Sequence, residues 1–137
     1  MDTSYHHREI EEQAQQFWLK KQSFNVVEDL NKEKTFGVCV YQSDWHHGVI
    51  GLVAARVKER LHRPTVAFAK ESATTLKGSA RSVSGLHIRD ALDAIAKRYP
   101  KLISKFGGHA MAAGLSIKAA DYTEFARAFN EVVSERV

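Results

Sequence analysis

Phe36-Gly37-Val38-Cys39-Val40-Tyr41, followed by Val49-Ile50-Gly51-Leu52-Val53-Ala54-Ala55-Arg56-Val57 and then Thr65-Val66-Ala67-Phe68-Ala69, is the stretch that sets the architecture. Its first and last pieces are short β-rich runs, the pattern of buried strands. Between them Ile50, Val53, Ala54, Val57 and Leu61 share one helical face, while Arg56, Lys58, Glu59 and Arg60 lie largely off it. Pro64 stops that helix, because proline has no amide donor and restricts the residue before it. Strand, helix and strand within about 35 residues form a βαβ unit, which predicts a parallel pair joined by a right-handed crossover. The strand at 36–41 is expected to lie in the interior of the sheet.

Outward from that unit, Thr75 to Val83 alternates well enough for a third strand. The loop Ser84-Gly85-Leu86-His87 leads to a helix from Ile88 to Arg98, with Ile88, Ala91, Leu92 and Ile95 inward and Pro100 beyond its end. Phe106-Gly107-Gly108-His109-Ala110-Met111-Ala112-Ala113-Gly114 reads as a glycine turn entering a short, thin helical segment. Leu115-Ser116-Ile117 is a last strand, and Asp121 with Glu124 resembles a capping box opening a final helix that carries Tyr122, Phe125, Phe129 and Val133. Upstream, Ile10, Ala14, Phe17 and Trp18 mark an amphipathic helix within residues 4–22. The fold class is therefore α/β: a mixed sheet of about four to five strands flanked by helices, with a leading connector helix over 1–34 and one domain over 35–137.

The chain has 137 residues, 44% hydrophobic and 26% charged, as in an ordinary single globular domain. No apolar run approaches the roughly 20 residues that span a bilayer, and no signal peptide opens the chain. The lone Cys39 excludes an internal disulfide and fits a cytoplasmic location. A net charge of +4 tilts toward an anionic partner without demanding one.

Three clusters could carry chemistry. Asp44-Trp45-His46-His47-Gly48 follows a strand and precedes a helix, where open α/β sheets bind ligands. Asp44 could cap the helix, His46 or His47 could touch a ligand, and metal binding lacks a partner residue at zinc-like spacing. In Gly78-Ser79-Ala80-Arg81-Ser82, two hydroxyls and a guanidinium suit a phosphate, with Ser79 and Arg81 on one face and Ala80 and Ser82 on the other. A sheet edge with a surface arginine is the plainer alternative. His109 after Gly107-Gly108 stands where free amides and a helix dipole would favour an anion, unless the glycines serve only a turn. No nucleophile–base pair and no carboxylate-rich metal site stands out, so the residues offer a grip on an anion but no means of breaking a bond.

Trp45-His46-His47-Gly48-Val49-Ile50-Gly51-Leu52-Val53-Ala54-Ala55-Arg56, then Gly78 to Ser82, then Gly107-Gly108-His109 through Gly114, resemble the C-terminal DHH-associated domain of the RecJ family. These are single-strand-specific DNA exonucleases of the DHH phosphoesterase superfamily, acting 5′–3′ in DNA repair and recombination. The resemblance spans roughly residues 36–134. It implies that a preceding DHH domain, absent from this sequence, holds Mn²⁺ or Mg²⁺ and that this domain closes over the cleft. It also implies that Arg81, Ser79 and Ser82 contact substrate phosphate, that Gly107 and Gly108 shape the same site, and that His109 faces the scissile phosphate as the catalytic residue. His46 or His47 would line the cleft.

On this resemblance the implied partners are single-stranded DNA and the DHH domain, no metal is bound by this chain itself, and this chain alone is expected to be inactive. Two alternatives share parts of the pattern. One is the corresponding domain of an oligoribonuclease or cyclic-dinucleotide phosphodiesterase. The other is a non-catalytic RNA-binding module like the tail domain of alanyl-tRNA synthetases.

Overall fold

Strands buried on both sides place two hydrophobic layers on opposite faces of one sheet. A computed structural model of the chain describes residues 36–136; the connector helix expected within 1–34 lies outside the described residues. The elements run β1 (Val38–Tyr41), α1 (Ile50–Leu61), β2 (Thr65–Lys70), β3 (Thr75–Arg81), α2 (Ile88–Arg98), β4 (Lys105–Gly108), β5 (Ala112–Lys118), a 3₁₀ turn (Ala119–Asp121) and α3 (Tyr122–Arg136). The five strands lie in the order β1-β2-β3-β5-β4. β1 and β2 are parallel, as the βαβ reading requires, and the remaining pairs are antiparallel. The α/β class and the mixed sheet thus stand as read. No described helix is long and apolar enough to cross a membrane.

Period two in β2 divides the core. Ala67 and Ala69 join Val38, Val40, Trp45, Val53 and Val57 beneath α1. Val66 and Phe68 point the other way, into a larger cluster with Leu76, Leu115, Ile117 and the inner faces of α2 and α3. There the Phe68 and Phe125 rings meet edge to face at 5.4 Å, an arrangement that aromatic quadrupoles favour. Truncating Phe68, which is fully buried, would cost about 3–5 kcal/mol.

Two expectations are corrected. β1 is the outermost of the described strands rather than an interior one. Its apolar run reflects cover on both faces: Val38 and Val40 under α1, Cys39 and Tyr41 against the α2–α3 layer. The Asn130 carboxamide oxygen on α3 also accepts from the Phe36 and Gly37 amides at 2.7 and 3.1 Å. Second, residues 110–113 form no helix. Phe106 to Gly114 belongs to a β-hairpin in which Gly107 pairs with Gly114 and Gly108 with Ala113. Strand alternation replaces helical packing here: Ala113 and Leu115 face the core while Ala112 and Gly114 face outward. The dipole argument for His109 therefore fails.

α1 packs over β2 and β3. The same side of β5 and β4 is left uncovered, with Lys105, Gly107 and Gly114 exposed. A cleft opens on this side, between the start of α1 and the sheet.

Candidate functional site

Arg81 ends β3 and shares its outward face with Ser79, two residues earlier. Its Nη1 donates to Ser79 Oγ and to the Ala80 carbonyl, each at 2.9 Å. Neither bond is to a carboxylate, so the positive charge remains available to a ligand. The guanidinium lies against α1 where Gly51 sits: a Cβ on Gly51 would come within 2.9 Å of Arg81 Nη2 and 3.4 Å of Ser79 Oγ. A glycine in the first turn of a helix gives up stability relative to alanine, and here the missing methyl makes the room that Arg81 occupies.

The opposing wall is the start of α1. Its N-cap, Val49, brings no side-chain cap, so the first-turn amides keep donor capacity at the positive end of the helix dipole. Ile50 and Gly51 line a cleft of about 410 Å³ together with His47, Ser79, Arg81 and, across the sheet, Gly108 and Gly114. Guanidinium, hydroxyl and helix N-terminus converge on one space. That set can hold a phosphate-like anion.

The candidate residues separate into groups. Ser79, Arg81, Gly108 and His47 line the cleft. His46 stacks on His47 with ring centroids 4.2 Å apart, and its Nδ1 accepts from the Gly48 amide at 3.0 Å, so it braces the loop. Gly107 lies next along β4, exposed. His109 sits exposed in the β4–β5 turn, directly after a cleft residue, and its amide donates to the Ala112 carbonyl at 2.8 Å. Ser82 points away from the cleft: it is fully buried, and its hydroxyl donates to the Leu86 carbonyl at 2.6 Å.

Ser82 nonetheless touches the site through its backbone. Its amide donates to the Met111 carbonyl and the Ile88 amide to the Ala110 carbonyl, both at 2.8 Å. These bonds anchor the turn just after His109 to the segment that runs from β3 into α2. Gly108 supplies the rest of the turn's shape. With φ of +148° it holds a conformation that side chains rarely adopt, and a Cβ there would collide with the Ala112 carbonyl and the Ala113 backbone.

Trp45 is a core residue under α1, 3% exposed. Asp44 is exposed and does not cap α1. Burial against the larger core raises the Cys39 thiol well above its usual range, which makes it a poor nucleophile. Among the described residues no group of three or more His, Cys, Asp or Glu gathers as a metal site would require. Gly51, Lys77 and Gly114 line the cleft without having been singled out as site residues. Gly51 left a signal as a glycine where a helix prefers alanine, and Gly51 and Gly114 both fall in stretches that carry the family resemblance.

Comparison with known proteins adds a family. Residues 33–135 match the model of the DHHA1 domain. The chain is 47% identical over 120 residues to the single-stranded-DNA-specific exonuclease RecJ of Haemophilus influenzae, covering 85% of this chain and 21% of that protein. It is 52% identical over 99 residues to the RecJ of Escherichia coli, covering 72% and 17%. The chain therefore spans about a fifth of the length of these relatives. Among solved structures, RecJ of Thermus thermophilus in complex with Mg²⁺ superposes with a TM-score of 0.67 at 22% identity, over 85% of this chain and 18% of that one. The C-Ala domain of Aquifex aeolicus alanyl-tRNA synthetase superposes at 0.58 with 13% identity, covering 72% and 90%. These last two likenesses are of fold.

Proposed function

This chain belongs to the DHHA1 domain family, and from that membership we propose that its cleft grips the phosphate backbone of single-stranded DNA for a RecJ-like exonuclease. The observation that carries the reading is Arg81, held by Ser79 over the gap at Gly51 and facing the uncapped start of α1, with no carboxylate partner among the described residues. Phosphodiester hydrolysis asks for metal ions to activate water and for a cationic clamp to place the phosphate. The described residues offer clamp parts and no metal donor set. In this reading Mn²⁺ or Mg²⁺ belongs to a DHH domain elsewhere in the same polypeptide, and this chain alone is inactive. The activity would serve DNA repair and recombination in the cytoplasm.

Each residue then has a task. Arg81 and Ser79 hold a phosphate, the α1 amides add donors, and His47 closes one wall. Gly108 and the anchored turn aim His109 toward the reacting phosphate. Ser82 supports that turn instead of contacting substrate. Identity of 47–52% to RecJ proteins favours this over the RNA-binding alternative, which rests on fold likeness.

The test compares nuclease activity on labelled single-stranded DNA with Mn²⁺ for this chain and for the longest natural form of the polypeptide. Activity is expected only in the longer form. There, Arg81→Ala should lower kcat/KM by about a hundredfold, the worth of a charge-assisted hydrogen bond pair to phosphate. His109→Ala should lower kcat more than it raises KM, because its part is in the transition state. Unchanged kcat/KM on Arg81→Ala removes the clamp; activity in the short chain means that a metal site was overlooked.

A further inference from the structure

We propose that the uncovered half of the sheet is a second subsite for the same nucleic-acid strand, with a bare glycine floor at Gly107 and Gly114 and a phosphate-binding row at Lys77 and Lys105. The inference rests on the clamp reading above and extends it beyond the Arg81 cleft.

Strand register arranges the outward residues in rows. Arg81 is opposite Ala112; Ser79 is opposite Gly114, which is opposite Gly107; Lys77 is opposite Ser116, which is opposite Lys105. The middle row carries almost no side chain. Nothing among the described residues demands this: there a Cβ on Gly107 would meet no atom within 4 Å, and one on Gly114 would meet only the Gly78 carbonyl, at 3.9 Å. Neither glycine has a positive φ. A strand glycine weakens the strand, and one without an internal reason marks a place where something outside approaches the backbone.

The far row supplies charge. Lys77 belongs both to the Arg81 cleft and to an adjoining depression of about 270 Å³ that Lys105, Gly107, Gly114 and Ser116 also line, so the two form one trough. Among the described residues neither ammonium is in an ion pair, whereas Lys97, Arg98 and Arg127, which lie on α2 and α3, are. An acidic group, Glu71, stands at this end, where its carboxylate accepts from Ser116 Oγ at 3.3 Å.

Arg81 and Lys77 are four residues apart on β3, about 13 Å along the strand. Lys105 lies two strands farther, about 16 Å from Arg81 between backbones, beyond the reach of a phosphate seated at Arg81. A strand crossing the floor would place separate phosphates on the two rows, with a nucleoside over the glycines. At about 3.4 Å per stacked nucleotide the interval is some four nucleotides, and fewer when the chain is extended. A basic groove that tracks the backbone is how single strands are held without regard to sequence.

The experiment measures binding of oligothymidylates of increasing length to the longest natural form of the polypeptide, with and without Lys105→Ala, and separately with Gly114→Ala. Lys105→Ala, outside the Arg81 cleft, should bind long oligomers about threefold more weakly and leave a dinucleotide unaffected. Its salt dependence should fall by about 0.7 units of slope, for one lost phosphate contact on a single strand. Lys105→Arg should bind as the parent does. Gly114→Ala should weaken long oligomers while leaving the thermal midpoint unchanged or higher.

Equal losses for short and long oligomers, or none for either, overturn the second subsite. If Arg81→Ala still abolishes binding, the clamp survives that result; if Arg81→Ala is also silent, both readings fall. A lowered midpoint without nucleic acid, with length dependence intact, would make this face a packing surface for another domain and refute the inference.

Discussion

Gly51→Ala separates stability from function at one atom. The added methyl would lie 2.9 Å from Arg81 Nη2, 3.4 Å from Ser79 Oγ and 3.8 Å from Arg81 Cζ. All three belong to side chains, and the closest is the far end of a flexible one, so the guanidinium swings away and the backbone stays in place. The helix gains up to about 1 kcal/mol from replacing glycine. The displaced Arg81–Ser79 bond loses about 0.5–1.5 kcal/mol. The two nearly cancel, and the thermal midpoint should move by no more than about 5 °C. Substrate use should not escape so lightly. Shifting the guanidinium from its seat forfeits a charge-assisted bond to phosphate of about 1.5–3 kcal/mol, or roughly ten- to a hundredfold in kcat/KM.

The assay pairs thermal unfolding with kcat/KM on single-stranded DNA in the longest natural form. Leu52→Ala, at the exposed neighbouring position (39% exposed), serves as a control expected to change neither much. A midpoint lowered by well over 5 °C would mean that the methyl strikes something rigid. An unaltered kcat/KM would mean that Arg81 has no assigned seat over Gly51. Either result refutes the argument.

Two further outcomes follow from particular bonds. Ser82→Ala leaves the buried Leu86 carbonyl without its 2.6 Å donor, which should cost about 1–3 kcal/mol of stability, read as a lower denaturant midpoint; a neutral result would mean that the loop does not depend on this hydroxyl. On the other side of the sheet, Arg98 binds Glu131 and Glu135 and ties α2 to α3. Its hydrogen bond and charge hold the Glu135 carboxyl below the usual range. The folded state therefore favours the ionised form, and the contribution is full above the unfolded carboxylate value and lost as pH falls through the folded one. Glu135→Gln should accordingly lower the thermal midpoint slightly at neutral pH and converge with the parent in acid; a gap that widens as pH falls would contradict the sign.

Periodicity made the βαβ unit and the helix at Ile88–Arg98 legible, because each buries one face and its spacing repeats. It misread the Phe106–Gly114 stretch for a physical reason. Glycine and alanine carry too little hydrophobic contrast for a period of two to show, and β4 is only four residues long. The position of β1 was hidden because an edge strand covered by helices on both sides reads like an interior one. In the site, Ser79 and Arg81 were placed on one face and Ser82 on the other by alternation alone, and that geometry holds. What alternation could not say is that facing the core takes Ser82 out of the cleft and into the support of the His109 turn.

The two faces of β3 explain why both assignments come from one short run. Leu76 and Ala80 build the larger core, so every second residue is committed to packing. Lys77, Ser79 and Arg81 occupy the alternate positions, and α1 stands over β3 with a glycine where Arg81 needs room. A cation that must stay put without a carboxylate needs neutral partners and a fitted gap. Ser79, the Ala80 carbonyl and Gly51 supply these from residues adjacent in the chain or across one helix. Acid partners would have fixed the guanidinium more firmly, but they would also have cancelled the charge that a phosphate requires. The arrangement trades some stability of the isolated domain for an open electrostatic seat, which is what the proposed phosphate clamp requires.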